Sequence, residues 1–199
     1  MKSRKIILLA LMIATTLSIG FFVFLFQREA KIHPLPILGK VQDFLLYDAH
    51  GQGVTLENLK GKIWVADFIF TTCSGICPVM TRNMLKLHRS FLLDDNVRMV
   101  SFSVNPEQDS PEILARYAQK HKAASDNWHF LTGDLKVIRR LAVESFKIGS
   151  VKEPIFHSGR FILLDSQARI RGYYEGTKKD EINLLFRDIA RLLKERIQG

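Results

Sequence analysis

Cysteine is scarce in this chain: of 199 residues only Cys73 and Cys77 are cysteines, and both lie in the single stretch TTCSGICPVM. One bridge at most can form. The chain-entropy gain for so short a loop is about 2 kcal/mol, against about 4.7 kcal/mol for a loop of roughly 100 residues. A structural staple is therefore a poor explanation for the pair, even among exported proteins, where disulfides are common. Internal repeats and low-complexity tracts are absent, and no second linker follows residue 40. A composition of 47% hydrophobic and 25% charged residues argues against disorder and against a polytopic membrane protein. The length of 199 residues suits one domain with a short appendage.

Charge is missing altogether from residues 6–26, IILLALMIATTLSIGFFVFLF. As a helix this run spans roughly 30 Å, enough to cross a bilayer once. Lys2, Arg4 and Lys5 precede it. That predicts a cytoplasmic N-terminus at 1–5, a transmembrane anchor at 6–26, and the rest of the chain on the extracytoplasmic, periplasmic side of the cell (inner) membrane. A cleaved signal peptide is the alternative. The one small-x-small site, Ser18-Ile19-Gly20, leads into apolar FFVFLF instead of a polar mature start. No cysteine stands directly after the run to accept a lipid. Of the net charge of +9, residues 1–31 supply +4, so the remainder is modestly basic at +5. Its Lys and Arg alternate with acids as on solvated helix faces, which argues against nucleic-acid binding.

Residues 27–40, QREAKIHPLPILGK, hold two prolines and a glycine without periodicity and read as a spacer, leaving 41–199 as the domain. There, FLLYDAHGQGVTL reads as a hairpin and IWVADFIF as a central, buried strand. A loop at 71–76 leads to a helix over 78–93 and then to the strand VRMVSFSV, a right-handed parallel crossover. Ser110, Pro111 and Glu112 mark a helix running to Lys120, as N-cap, first helical residue and first-turn acid. A strand at 128–131, a helix over 134–146, the strands GRFILLD and RIRGYYE and an amphipathic helix over 180–196 complete the chain. The expected class is α/β, a mixed sheet flanked by helices. Met80 and Met84, four apart on one helix, are expected in the core, as are Trp64 and Trp128.

The cysteine pair sits where a buried strand hands over to a helix. Free N–H groups and the dipole at a helix start favour thiolate over thiol, the form that reacts and binds metal. Thioredoxin-type redox motifs usually leave two residues between the cysteines; here three intervene. A wider pair can form a disulfide or pinch one metal ion, and two thiolates with one imidazole make a donor set that copper accepts. The residues alone leave the imidazole open. His33 lies in the spacer, His50 in the hairpin turn, and His88 and His121 in polar helix stretches that read as solvent-facing. His129 beside Trp128 reads as structural, and His157 lies in PIFHSGRFILLD, in a loop just before an apolar strand.

Four segments, GKIWVADFIFTTCSGICPVM, SFSVNPEQDSPEILARYA, NWHFLTGD and FHSGRFILLD, occur in an order and spacing that resemble the SCO/SenC family over roughly residues 40–198. The resemblance implies a thioredoxin-like fold with a membrane anchor, and it implies Cys73, Cys77 and His157 as ligands of one copper ion, Cu+ or Cu2+. It further implies a metallochaperone that supplies copper to the dinuclear centre of cytochrome c oxidase subunit II or prepares the cysteines of that centre. The implied partners are that subunit or its assembly factors. Two departures stand out: many relatives have Asp where Asn105 and Phe156 stand. Neither position supplies a ligand in the family. Two other functions fit the pair. A thiol-disulfide oxidoreductase would use Cys73 to attack a partner disulfide and Cys77 to resolve it; a redox or copper sensor would change its surface on metallation or oxidation.

Overall fold

A computed structural model describes residues 4, 12–22, 34–149 and 158–198. It separates into two compact units, Met1–Pro34 and Leu35–Gly199. In the first, residues 12–22 form helix α1. Among the described residues no helix is long and apolar enough to cross a membrane, and the rest of the expected span at 6–26 lies outside the described residues.

The second unit is built around β4 (Ile63–Ile69), buried at every position, as a strand covered on both faces must be. Alternate side chains feed two cores: Trp64, Ala66 and Phe68 enter one, Ile63, Val65 and Ile69 the other. On one side of β4, β5 (Val97–Ser103) and β6 (Trp128–Leu131) follow in parallel. On the other, β7 (Arg160–Leu164), β8 (Arg169–Glu175) and β1 (Gly39–Lys40) follow antiparallel, so the sheet is mixed. The hairpin of β2 (Leu45–Tyr47) and β3 (Gly53–Thr55) is joined to the end of β6 by a bridge between Tyr47 and Thr132. Helices α3 (Cys77–Ser90), α4 (Pro111–Lys120) and α6 (Lys179–Gln198) contribute to the second core. Helix α2 (Leu56–Leu59), helix α5 (Leu135–Arg140) and the π-turn Leu141–Ser145 close the first. Met80, Met84, Trp64 and Trp128 are all buried, as their spacing and neighbours predict.

Three boundaries differ from the sequence reading. The helix expected over 78–93 stops at Ser90. Phe91 leaves helical geometry at φ −116°, and Asp94 takes the Asn96 N–H at 2.9 Å in a turn, so the apolar run there ends with Leu93 at 97% exposure instead of continuing the helix. The helix expected over 134–146 widens into a π-turn, where Phe146 N–H reaches back to the Leu141 carbonyl; that places the Phe146 ring against Trp64, Phe68 and Phe102. The compact unit also begins inside the stretch read as spacer. Gly39 and Lys40 pair with Ile170 and Arg169, and the buried Arg171 guanidinium donates to the Leu35 and Pro36 carbonyls while pairing with Asp165 and Glu195. Backbone pairing of this kind leaves no mark in side-chain periodicity.

The start of α4 matches expectation. Ser110 is extended at φ −63°, ψ 164°, and its Oγ accepts from the Ile113 N–H with Pro111 in the first turn. Replacing Ser110 by Ala should cost about 1 kcal/mol of stability in chemical denaturation. A loss below about 0.3 kcal/mol would show that the cap does little here.

Candidate metal centre

The loop from Phe70 to Ile76 leaves the C-terminal end of β4, next to the end of β5, where open α/β sheets place their sites. Cys73 is half-exposed on this loop. Cys77 is buried and opens α3, with Pro78 next, and both thiols are free. The hydroxyl of Tyr117 on α4 bonds Thr81 on α3 at 2.7 Å; burial pushes its phenol up to about 12.

The two sulfurs live in opposite environments. Partial burial alone would raise Cys73, but the Cys77 thiol and the backbone N–H groups of Cys77, Gly75 and Ile76 hydrogen-bond to it and bring it below the ordinary thiol value. Cys77 moves the other way, to about 12: burial dominates, its proton is committed to Cys73, and the charges of Cys73 and Asp67 add to the shift against a single N–H from Phe70. The expectation that a helix start activates both thiols therefore holds for Cys73 and fails for Cys77. The helix N–H groups converge on the outer sulfur and leave the inner one in an apolar setting.

Beneath the pair lies Asp67, an acid in the middle of β4 on the face that carries Val65 and Ile69. It is 1% exposed, and neither carboxylate oxygen has a hydrogen-bond partner. Burial pushes it up to about 7, eased slightly by Ser101, its register neighbour on β5, whose Oγ already accepts from Trp128 Nε1. A lone Asp inside the apolar run IWVADFIF was the signal that could have singled it out, since acids are seldom buried unpaired.

The histidines sort differently from expectation in two cases. His88 is not solvent-facing: it is buried, with Nε2 2.7 Å from Ser125 Oγ and its ring 5.6 Å from that of Trp128. It lies on the inward face of α3, one turn beyond Met84. His121 is half-buried, with its ring 4.4 Å from that of Tyr117. His50 is exposed in the hairpin turn, and His129 is half-buried on β6. His33 and His157 lie outside the described residues. Among the described residues no group of three or more His, Cys, Asp or Glu is arranged to hold a metal ion. The segment that follows His157 does approach the cysteine loop: a Cβ on Gly159 would lie 3.4 Å from Ile76 Cδ1.

Residues 38–194, which span the cysteine loop and nearly all of the sheet, match the family model described as SCO1/SenC. The chain belongs to the SCO1/SenC family. A SCO1 protein homolog of Bacillus subtilis is 36% identical over 161 residues, 77% of this chain and 83% of that protein. The solved structure of BsSco, described as a member of the Sco family of cytochrome c oxidase assembly proteins with a disulfide switch, is 33% identical. It aligns with a TM-score of 0.70 over 80% of this chain and 98% of that one. A ScoI structure from Bradyrhizobium japonicum, solved with copper bound, covers 74% of this chain and 98% of its own at 24% identity and a TM-score of 0.60, a likeness of fold. The SCO1/SenC assignment thus agrees with the mixed sheet flanked by helices and with the cysteine pair at the end of its central strand.

Proposed function

We propose that this chain carries one copper ion on Cys73, Cys77 and His157 and delivers it during assembly of the dinuclear copper centre of cytochrome c oxidase, with subunit II or its assembly factors as partner. In this reading it works at the extracytoplasmic face of the membrane, anchored by residues 6–26, with the compact unit Leu35–Gly199 as the copper-binding domain. The observation that carries it is the reduced pair itself. Two free thiols, one half-exposed and one buried, stand at the sheet end beside the segment that follows His157, and two thiolates with one imidazole suit a soft, three-coordinate ion. Membership in the SCO1/SenC family, and the description of BsSco as belonging to a family of oxidase assembly proteins, support the same role.

The copper ion is cargo, so each ligand has a task in loading and release. Cys73, half-exposed and easily ionised, meets the incoming ion first. Cys77 loses its proton as it binds, which makes uptake release protons and strengthens it as pH rises. A partner thiolate then enters from the Cys73 side and displaces the ligands in turn. Titrating the reduced full chain with copper, with absorption and paramagnetic resonance spectra, tests this. One equivalent should bind with thiolate-to-copper bands, and His157→Ala should weaken binding by about tenfold or more and alter both spectra. Absence of stoichiometric binding, or indifference to His157, would sink the reading.

The unequal thiols also favour a second reading, a thiol-disulfide oxidoreductase. Cys73 as thiolate would attack a partner disulfide, releasing one partner thiolate. Cys77 would then give up its proton and attack the mixed disulfide, leaving a Cys73–Cys77 disulfide and a reduced partner. Full reductase activity in His157→Ala with oxidase assembly unaffected would select it.

A further inference from the structure

The two successive peptide units that meet at Phe70 each serve one cysteine. The carbonyl of the Phe70–Thr71 unit accepts the Cys73 N–H at 3.1 Å, and the N–H of the preceding Ile69–Phe70 unit donates to the Cys77 sulfur. The opposite edge of the Phe70–Thr71 unit, the Thr71 N–H, donates to Asp109 Oδ2 at 3.2 Å, and Thr71 Oγ1 donates to Asp109 Oδ1 at 2.5 Å. A trans peptide is planar, with its C=O and N–H pointing in opposite directions, so holding the Thr71 N–H sets the aim of the Phe70 carbonyl.

Asp109 is itself held from the neighbouring strand. It is 0% exposed, its Oδ2 also accepts the Ser103 hydroxyl at 2.6 Å, and its N–H donates to the Asn105 carbonyl at 2.9 Å. Ser103 Oγ in turn accepts the Asn105 N–H at 3.1 Å. The carboxylate is thus fixed to the end of β5 and reaches across to the loop that follows β4.

We infer that Asp109 is a positioning residue for the dithiol: it sets the Phe70–Thr71 peptide, whose carbonyl holds the Cys73 N–H, and so keeps Cys73 under the N–H groups that open α3. The inference rests on Cys73 and Cys77 being the working pair, whether for copper or for disulfide exchange. Neither sulfur touches Asp109 in the network just described; the carboxylate acts through one backbone plane.

The test uses the reduced full chain and two substitutions. Asp109→Asn keeps the side-chain volume and turns one acceptor into a donor; Thr71→Val removes only the hydroxyl. Three quantities are read: the Cys73 alkylation rate at pH 7, the thiolate-to-copper absorption with Cu2+ as probe, and thermal unfolding. At a temperature where both variants are folded by circular dichroism, alkylation should slow by about tenfold in Asp109→Asn and less in Thr71→Val, with the copper band displaced. An unchanged or faster rate with an unchanged band, alongside a lowered melting temperature, would overturn the inference and leave Asp109 as a brace of the fold. Should Asp109→Asn fail to fold, Thr71→Val decides alone by the same two readouts. A wild-type chain that takes no copper, yet loses Cys73 reactivity in Asp109→Asn, would sink copper delivery and support the positioning role.

Discussion

An alkylating reagent added to the reduced protein at pH 7 should modify Cys73 about thirtyfold faster than Cys77. Cys73 ionises below the ordinary thiol value of 9.0 and Cys77 at about 12, so their thiolate populations differ by roughly a thousandfold or more. Intrinsic nucleophilicity works against that ratio. It rises with pKa with a Brønsted slope of about 0.4–0.5, which returns about thirtyfold to Cys77 and leaves about thirtyfold in favour of Cys73. The burial of Cys77 widens the gap further. A time course read by peptide mass spectrometry decides the matter. Equal rates would mean that the helix start ionises both sulfurs alike and would remove the division of labour assigned to them.

Asp67→Asn should flatten the pH dependence of stability between about 4 and 7, with a difference from wild type of up to about 4 kcal/mol at pH 8. The carboxyl titrates at about 7 in the folded domain against the ordinary aspartate value of 3.8 in an unfolded chain. The folded state therefore holds this proton more tightly than the unfolded chain. Its contribution is fully present below the unfolded value, declines as pH climbs toward 7, and is lost above that. His88 and His129 move oppositely, since burial lowers both, and they favour the folded state as pH rises past their unfolded value. Comparing the two proteins cancels the histidines and isolates Asp67. Denaturant unfolding at pH 4.5 and pH 8 gives the number. Parallel curves for wild type and variant would show that water or a hydrogen bond reaches the carboxylate after all.

Elements marked by side-chain chemistry were legible in the sequence. The unbroken apolar run placed β4 at the centre, Ser110 with Pro111 marked the start of α4, and the paired cysteines located the site at a strand-to-helix junction. Elements decided by backbone partners were not. The entry of β1 into the sheet depends on Arg169 and Ile170, more than a hundred positions away, and the π-turn depends on where Phe146 finds its aromatic neighbours. His88 read as solvent-facing because Lys86 and Arg89 surround it in sequence, whereas helix geometry turns it inward with Met84. Local sequence carried the position of the dithiol but not its asymmetry, which arises from how many N–H groups converge on each sulfur. Asp109 escaped notice for the same reason: its partners, Thr71 and Ser103, become neighbours only once β4 and β5 are side by side.

The placement of β4 bears on the order in which the molecule is made. It pairs with β5 soon after synthesis, but its other edge waits for β7, with Trp64 opposite Leu164. Synthesis runs at about 5–20 residues per second, so the nascent chain carries both cysteines for several seconds before that edge closes. Pairings this distant in sequence also form late in folding. During that interval the sulfurs face their surroundings without the finished sheet around them. A reduced pair in the finished domain then requires either protection on the way or restoration afterwards.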